Sequence, residues 1–128
     1  MSAPMGWGLV GPGGIAHRFA DALATLRDAR LHAVVGRSPE RSHTFAARWG
    51  ARVHADIDSL LADPAVEAVY IATPHSSHAE VAAACLRAGK AVLCEKPLAA
   101  NAAQAQALIT LARERSVFLM EALWTRYL

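Results

Sequence analysis

The sequence predicts a doubly wound α/β domain built on a parallel sheet. Six short apolar runs alternate with segments of helical period, the apolar runs are continuous, and a glycine-rich turn follows the first of them. Continuous hydrophobicity is typical of strands covered on both faces, as in a parallel sheet flanked by helices. Right-handed crossovers then favour the strand order 3-2-1-4-5-6.

The predicted strands are short aliphatic runs, at residues 6–10, 31–35, 52–54, 68–72, 91–94 and 117–120. Each of the first five is followed by a segment with helical signals, and the predicted helices cover residues 14–26, 38–49, 56–61, 77–87 and 101–115. The first helix should direct one stripe of side chains at the sheet, namely Ile15, Phe19, Ala22, Leu23 and Leu26.

Local signals predict where several of these helices begin and end. Ser38 is a suitable N-cap with Pro39 in the first helical position, and Asn101 is a suitable N-cap for the last helix. Gly50 and Gly89 follow helical segments, where glycine ends a helix without a steric penalty.

Length and composition restrict the class of protein. The 128 residues suit one domain with one core, and no segment reaches the roughly 20 consecutive apolar residues of a membrane span. The first residues have no signal-peptide pattern, and the net charge of +2 is spread along the chain, so neither a membrane nor a nucleic acid is an expected partner. Cys85 and Cys94 are expected to be free buried thiols, which suits a cytoplasmic location.

Residues 11–16 read Gly-Pro-Gly-Gly-Ile-Ala and match G-x-G-x-x-A between the first strand and the first helix. Gly11 permits the tight turn, Gly13 lets a pyrophosphate approach the backbone, and Ala16 lets helix and strand pack closely. Gly14 and Ile15 stand at the helix N-terminus, where free N–H groups and the helix dipole attract anions. The turn predicts a dinucleotide-binding Rossmann domain; the alternative is a glycine-rich turn that binds nothing.

The end of the second strand bears on the choice of dinucleotide. An acidic residue often accepts hydrogen bonds from the ribose of NAD here, but this chain has Arg37, Ser38 and Arg41 instead. Two guanidinium groups suit a 2′-phosphate, so NADP is the predicted cofactor, with NAD possible. The alternative is that Ser38 only caps its helix and both arginines are solvated.

The loop after the fourth strand should face the glycine turn across the switch point of the sheet. Thr73 and Pro74 are expected to line the cofactor groove, His75 to face it, and His78 to start the next helix beside it. The two histidines lack further ligands at zinc-site spacing, so no metal is expected.

Lys96 follows the fifth strand and should reach the same crevice. Of 13 basic residues only Lys90 and Lys96 are lysines, so an amine replaces the otherwise preferred guanidinium here. Its amine could hydrogen-bond the nicotinamide ribose of a cofactor and the substrate oxygen, where a cation would favour the alkoxide-like transition state of hydride transfer. Glu95 could hold the lysine or contact the ribose, and Pro97 would fix the chain direction. Taken alone, Lys96 could also be an exposed lysine that closes a loop.

Together these motifs resemble the glucose–fructose oxidoreductase, inositol dehydrogenase and rhizopine-catabolism (Gfo/Idh/MocA) family over essentially the whole chain. The resemblance implies an NAD(P)-binding domain in which Lys96 orients or protonates the substrate. Residues 120–127 are similar to the branch of dihydrodiol and NADP-dependent xylose dehydrogenases, which adds Trp124 and Arg126 to the expected site. His75 stands where many members of the family carry asparagine.

The resemblance also implies a sugar or diol as the small-molecule substrate, a homo-oligomer at full length and a C-terminal substrate domain. That domain is absent from residues 1–128, so this chain should turn over poorly by itself, whether it is a fragment or a natural truncation. Two other classes stay open: a non-catalytic dinucleotide sensor, and a flavodoxin-like scaffold without a cofactor.

Overall fold

Six parallel strands and five α-helices make up the described part of the chain, residues 4–122 of a computed structural model. The strands are β1 (Met5–Val10), β2 (Ala29–Val35), β3 (Arg52–Val53), β4 (Ala68–Ile71), β5 (Ala91–Glu95) and β6 (Leu119–Ala122). The helices are α1 (Gly14–Ala24), α2 (Pro39–Trp49), α3 (Ile57–Leu61), α4 (His78–Arg87) and α5 (Ala102–Arg115), and a 3-10 turn at His75–Ser77 precedes α4.

The strands form one sheet in the order β3-β2-β1-β4-β5-β6, which confirms the predicted topology. β1 pairs with β2 on one side and with β4 on the other, all in parallel. The chain therefore runs outward to β3, returns to the centre at β4 and runs outward again to β6. The loops after β1 and β4 meet at the carboxyl edge, where such sheets open a crevice for ligands.

The predicted helix caps are confirmed. The Ser38 side chain accepts a hydrogen bond from the Arg41 amide, and the Asn101 side chain accepts one from the Gln104 amide. Gly50 ends α2 in the left-handed conformation with φ of 68°. These local interactions set the helix limits that the sequence predicted.

The predicted inward stripe of α1 was wrong in part. Its buried residues are Ala16, Phe19, Ala20 and Leu23, whereas Ala22 is exposed. Leu26 is 53% exposed because α1 ends at Ala24, before the extra turn that would bring this side chain to the sheet. The buried positions follow the i, i+3, i+4, i+7 pattern, one residue away from the predicted stripe.

The last strand begins two residues later than predicted. Ser116 ends α5 with φ of 54°, and the Val117 amide donates to the Ala112 carbonyl, which keeps it in the helix terminus. β6 therefore starts at Leu119, and the apolar character of Val117 reflects packing against the core instead of strand pairing.

Helices cover both faces of the sheet and create two apolar clusters. On one face α1 and α2 pack Phe19, Phe45 and their neighbours against Leu9, Val34 and Tyr70. Cys85 and Cys94 lie in the other cluster as free buried thiols, as predicted, and burial raises the pKa of each to about 12. Within residues 4–122, no helix combines the length and apolar character that crossing a membrane requires.

A buried carboxylate fastens α3 to the sheet. Asp63 accepts hydrogen bonds from His32 Nε2 at 3.1 Å and His54 Nε2 at 3.0 Å, and the Ala65 amide donates to its other oxygen at 2.9 Å. Burial by itself would raise the pKa of Asp63, but these hydrogen bonds outweigh it and lower the pKa to about 2. The ionised form is therefore the one that the fold prefers.

Replacing this carboxylate should make the free energy of unfolding less dependent on pH in the acid range. In Asp63→Asn we expect the free energy of unfolding near pH 7 to fall by about 2 kcal/mol. The folded pKa lies below the unfolded value of about 3.9, so Asp63 stabilises the fold above about pH 4 and loses that effect as the pH falls toward 2.

Urea unfolding between pH 2 and pH 7 measures this difference. Asp58→Asn, at an exposed position of the same helix, is the control. A gap between wild type and Asp63→Asn that stays constant down to pH 2 would contradict the assignment.

Candidate functional site

A groove with a volume of about 600 Å³ opens at the carboxyl edge of the sheet. Four loops surround it, those that follow β1, β2, β3 and β4. Its lining residues are Val10, Gly11, Pro12, Gly13, Val35, Gly36, Arg37, Ser38, Arg41, Ala55, Asp56, Ile57, Ala72, Thr73, Pro74, Ser77 and Val81. The groove is therefore the crevice that the strand order predicted.

Gly11 brings two of these loops into contact. Its φ is +92°, a backbone conformation that residues with a side chain rarely adopt. A Cβ at this position would lie 2.9 Å from both Ala72 C and Thr73 N. Its amide donates to the Val35 carbonyl at 3.0 Å, so the turn is also attached to the end of β2. Glycine is required here because the ends of β1, β2 and β4 converge on this one position.

The N-terminus of α1 faces the groove without a side-chain cap. Gly13 occupies the N-cap position, no side chain accepts from the first turn, and that turn holds no acidic residue. A Cβ at Gly13 or Gly14 would meet nothing within 4 Å, so the space in front of the helix is open. Uncapped N–H groups and the positive end of the helix dipole together suit a phosphate or pyrophosphate.

Arg37, Ser38 and Arg41 border the groove together, as predicted. Both arginines are exposed, and the Ser38 Oγ accepts from the Arg41 amide at 3.3 Å. Ser38 thus both caps α2 and lines the groove, so a role as helix cap is compatible with a role in a phosphate site. Two guanidinium groups at this edge could hold an anion in addition to the one at α1.

The β3–α3 loop also lines the groove, which the sequence analysis missed. Ala55, Asp56 and Ile57 contribute to the lining, with the Asp56 carboxylate accepting from the Ser59 amide at 2.7 Å as the cap of α3. The Asp-x-x-Ser spacing identifies the helix start from sequence. Only the strand order shows that this start faces the glycine turn.

Beyond β4, Thr73 and Pro74 lie in the groove wall, whereas His75 is exposed outside it. His78 begins α4 as predicted, but its side chain is 0% exposed, so the structure gives it a position beneath the loops instead of in the groove wall. Ser77, which was not singled out from sequence, donates to the Thr73 hydroxyl at 2.8 Å and borders the groove.

Three side chains hold the lysine loop, which we define as residues 95–98. The Tyr70 hydroxyl donates to the Glu95 carboxylate, and Glu121 Oε2 accepts from the Leu98 amide at 2.7 Å. His78 Nδ1 lies 2.7 Å from the Pro97 carbonyl oxygen. The loop contains a cis peptide bond between Lys96 and Pro97, and Lys96 itself is exposed.

The predicted residues thus fall into four groups. Gly11, Gly13, Arg37, Ser38, Arg41, Thr73 and Pro74 share the groove lining, while Gly14, Ile15 and Ala16 belong to the start of α1 behind it. His75, Glu95, Lys96 and Pro97 lie outside the lining, and Trp124 and Arg126 lie outside the described residues. Contact between Lys96 and a cofactor stays a prediction.

Within residues 4–122, no cluster of His, Cys, Asp and Glu side chains is arranged to hold a metal.

The groove fits a dinucleotide because it joins an open, uncapped helix N-terminus to two exposed guanidinium groups. Fold and groove together define a nucleotide-binding α/β domain of the Rossmann type. Residues 5–123 match the profile of the oxidoreductase family with an NAD-binding Rossmann fold. The chain belongs to this Gfo/Idh/MocA family, which confirms the resemblance seen in the sequence.

Several characterised proteins are similar to the chain. Trans-1,2-dihydrobenzene-1,2-diol dehydrogenase from Mus musculus is 41% identical over 124 residues, which cover 94% of this chain and 37% of that enzyme. The chain therefore spans well under half the length of such relatives.

Two solved structures illustrate the shared fold. A protein of gentamicin A biosynthesis in complex with NAD has a TM-score of 0.91 at 36% identity, covering 95% of this chain and 35% of that chain. A 3-ketoreductase from Actinomadura kijaniata in complex with NADP and TDP-benzene has a TM-score of 0.88 at 39% identity, covering 92% and 37%.

A side chain at Gly13 should block the groove without disturbing the fold. Its backbone φ of −104° suits any residue and a Cβ there meets nothing, so Gly13→Val should shift the melting temperature by no more than about 3 °C. The added isopropyl group occupies the space in front of the α1 N–H groups, and we expect the affinity for NADPH to fall by at least about 100-fold.

Fluorescence titration with NADPH measures this effect. Ala24→Val at the exposed end of the same helix is the control. Undiminished affinity in Gly13→Val would show that the ligand does not approach this turn.

Proposed function

We propose that this chain is the nucleotide-binding domain of an NADP-dependent oxidoreductase that acts on a secondary hydroxyl of a diol or sugar. One observation carries the proposal: a single groove joins the glycine turn and the open start of α1 to Arg37 and Arg41. This arrangement offers one binding position for a pyrophosphate and a second for a 2′-phosphate.

The preference for NADP rests on the charges at the end of β2. Arg37 and Arg41 supply two fixed cations at the groove. The acidic residue among the described lining residues, Asp56, follows β3 and caps α3 through its Oδ1. The described lining at the end of β2 contains no acidic residue, where NAD-binding domains often have one. The similar structures include complexes with NAD and with NADP, so the residues of this chain must decide between them.

When bound, the nicotinamide accepts or donates the hydride of the reaction. In this proposal the chain's own residues position the reactants. The groove binds the adenosine half and the pyrophosphate, and the Lys96 ammonium donates a hydrogen bond to the substrate oxygen at the end of β5. A cation at that oxygen stabilises the negative charge that develops as the carbonyl is reduced.

The substrate class is proposed from the names of the relatives and, like the assembly, from the family resemblance of the sequence motifs. One relative is named a trans-1,2-dihydrobenzene-1,2-diol dehydrogenase, and one similar structure is a 3-ketoreductase in complex with NADP and TDP-benzene. We infer that the substrate is a small diol or sugar, that a C-terminal domain completes its pocket, and that the full-length protein is a cytoplasmic homo-oligomer. The chain spans 37% of the relative's length, so the domain alone should turn over poorly.

Removing both arginines should weaken the binding of NADPH much more than the binding of NADH. In Arg37→Ala with Arg41→Ala we expect the dissociation constant for NADPH to rise about 30-fold, because two charge-assisted contacts to the 2′-phosphate are lost. The value for NADH should change less than about threefold. Isothermal titration with both cofactors measures the ratio.

The double variant Arg27→Ala with Arg52→Ala is the matched control, since it removes the same charge from exposed positions outside the groove lining. Equal losses for NADPH and NADH would overturn the assignment of the 2′-phosphate. A loss confined to low salt would indicate long-range attraction instead of a direct contact.

Lys96 should be needed for turnover and dispensable for binding. In the full-length protein, Lys96→Met is expected to lower kcat/KM for the preferred diol or aldose by at least about 1,000-fold, because the cation at the reacting oxygen is lost. The affinity for NADPH should stay within about threefold, because Lys96 lies outside the groove lining and its loss removes at most one hydrogen bond to the nicotinamide ribose.

Steady-state assays on a panel of diols and aldoses, with NADPH titration of the same samples, separate the two effects. Lys90→Met, which replaces the chain's other lysine, is the control. Wild type that binds NADPH but reduces or oxidises none of these substrates would point to a dinucleotide sensor.

A further inference from the structure

Both ring nitrogens of the buried His78 side chain contact backbone carbonyl oxygens. Its side chain is 0% exposed at the start of α4. Nδ1 lies 2.7 Å from the Pro97 carbonyl oxygen, and Nε2 lies 2.7 Å from the Thr73 carbonyl oxygen. One ring thus touches the backbone of the lysine loop on one side and the backbone of the groove loop on the other.

The two partners restrict the protonation of the ring. A backbone carbonyl oxygen only accepts hydrogen bonds, and a neutral imidazole carries only one N–H. In either neutral tautomer, one ring nitrogen would point its lone pair at a carbonyl oxygen 2.7 Å away, in a place closed to water. The imidazolium donates from both nitrogens, so it is the only form that satisfies both contacts.

We propose that His78 is a positioning residue, held as an imidazolium that cross-links the Thr73 loop to the lysine loop. The inference deepens the proposed function and rests on it, because the cross-link matters for binding only if both loops serve the same dinucleotide. His78 sets the distance between Thr73, which lines the groove, and Lys96, which precedes Pro97. It touches no ligand and acts through these two backbone segments.

The surrounding charges favour a cation here. Glu121 accepts from the Leu98 amide, one residue beyond the His78 contact, and Glu95 stands at the end of β5. Burial raises the pKa of the Cys94 thiol to about 12, and the negative charges of Glu95 and Glu121 contribute to the rise. Glu95 and Glu121 thus place two carboxylates at the lysine loop that His78 contacts.

Three other features near His78 oppose a positive charge or have little effect on it. The N-terminus of α4 places the positive end of its dipole near His78, and the His75 ring lies 5.5 Å away, centroid to centroid. Lys96, which directly precedes the Pro97 that His78 contacts, is exposed and therefore screened by water. Burial also disfavours a charged ring. In this proposal the two charge-assisted hydrogen bonds to the Thr73 and Pro97 carbonyl oxygens, both at 2.7 Å, offset the dipole and the burial.

The first experiment observes the ring directly. A long-range proton–nitrogen correlation spectrum of the full chain with nitrogen-15-labelled histidine, recorded at neutral pH, reports the protonation of each ring nitrogen. The His78 signals are assigned by their absence in His78→Gln. We expect two protonated nitrogens; one protonated and one unprotonated nitrogen would overturn the proposal, whether or not any cofactor binds.

The second experiment separates positioning from general stability by comparing two ligands. NADPH spans the whole site, whereas 2′,5′-ADP carries only its adenosine bisphosphate half. His78→Gln cannot bridge both carbonyl oxygens, and we expect its dissociation constant for NADPH to rise about tenfold while that for 2′,5′-ADP changes less than about twofold. His43→Gln, at an exposed histidine of α2, is the control.

The outcomes distinguish the two levels of the argument. An equal rise in the dissociation constants for NADPH and 2′,5′-ADP in His78→Gln would make His78 a purely structural residue and overturn the positioning role. Unchanged dissociation constants for both ligands would overturn it as well. Failure of wild type to bind NADPH and 2′,5′-ADP would refute the proposed function, while the spectrum would still test the protonation of His78.

Discussion

The site depends on one close approach of backbone to backbone, between Gly11 after β1 and Ala72–Thr73 after β4. A single added carbon at Gly11 would come within 2.9 Å of both residues of the facing loop. This approach is possible because β1 and β4 are hydrogen-bonded neighbours, although 57 residues lie between Val10 at the end of β1 and Ala68 at the start of β4. The crossover topology creates the neighbourhood, and glycine permits it to close.

A second set of contacts links this centre to the lysine loop. Tyr70 from β4, His78 from α4 and Glu121 from β6 each hold a different group of residues 95–98. Tyr70 is itself stacked on Phe19 of α1 at 4.0 Å, so the loop is coupled to the packing beneath the glycine turn. Rigid elements, in this arrangement, fix a catalytic candidate that is itself exposed on a loop.

Much of this architecture was predictable because it rests on short-range signals. Ser38, Gly50 and Asn101 mark helix ends by their own backbone or side-chain chemistry, and the continuous apolar runs identify a parallel sheet. The residues that were missed act across long sequence distances. Asp56 and Ile57 reach the groove only through the order of the strands, and Glu121 meets Leu98 only because β5 and β6 pair.

Errors in packing had the same origin. The stripe on α1 was misplaced in part because an alanine-rich helix offers several apolar faces, and only contact with the sheet selects Ala16 and Ala20. His78 was recognised as a helix start, but its two carbonyl partners lie 5 and 19 residues away and come together only in the fold. Sequence patterns thus predicted which residues matter better than they predicted what each one touches.

Because the N-terminus of α1 has no side-chain cap, a bound phosphate would complete the hydrogen bonding of this helix. A helix that supplies its own cap is complete before anything binds, whereas one that begins at Gly13 leaves its first N–H groups to be completed by an incoming phosphate. Occupancy and folding free energy are then thermodynamically linked, and the domain becomes more resistant to unfolding as cofactor concentration rises above its dissociation constant. In a cell the nucleotide pool would help determine how long such a domain survives proteolysis.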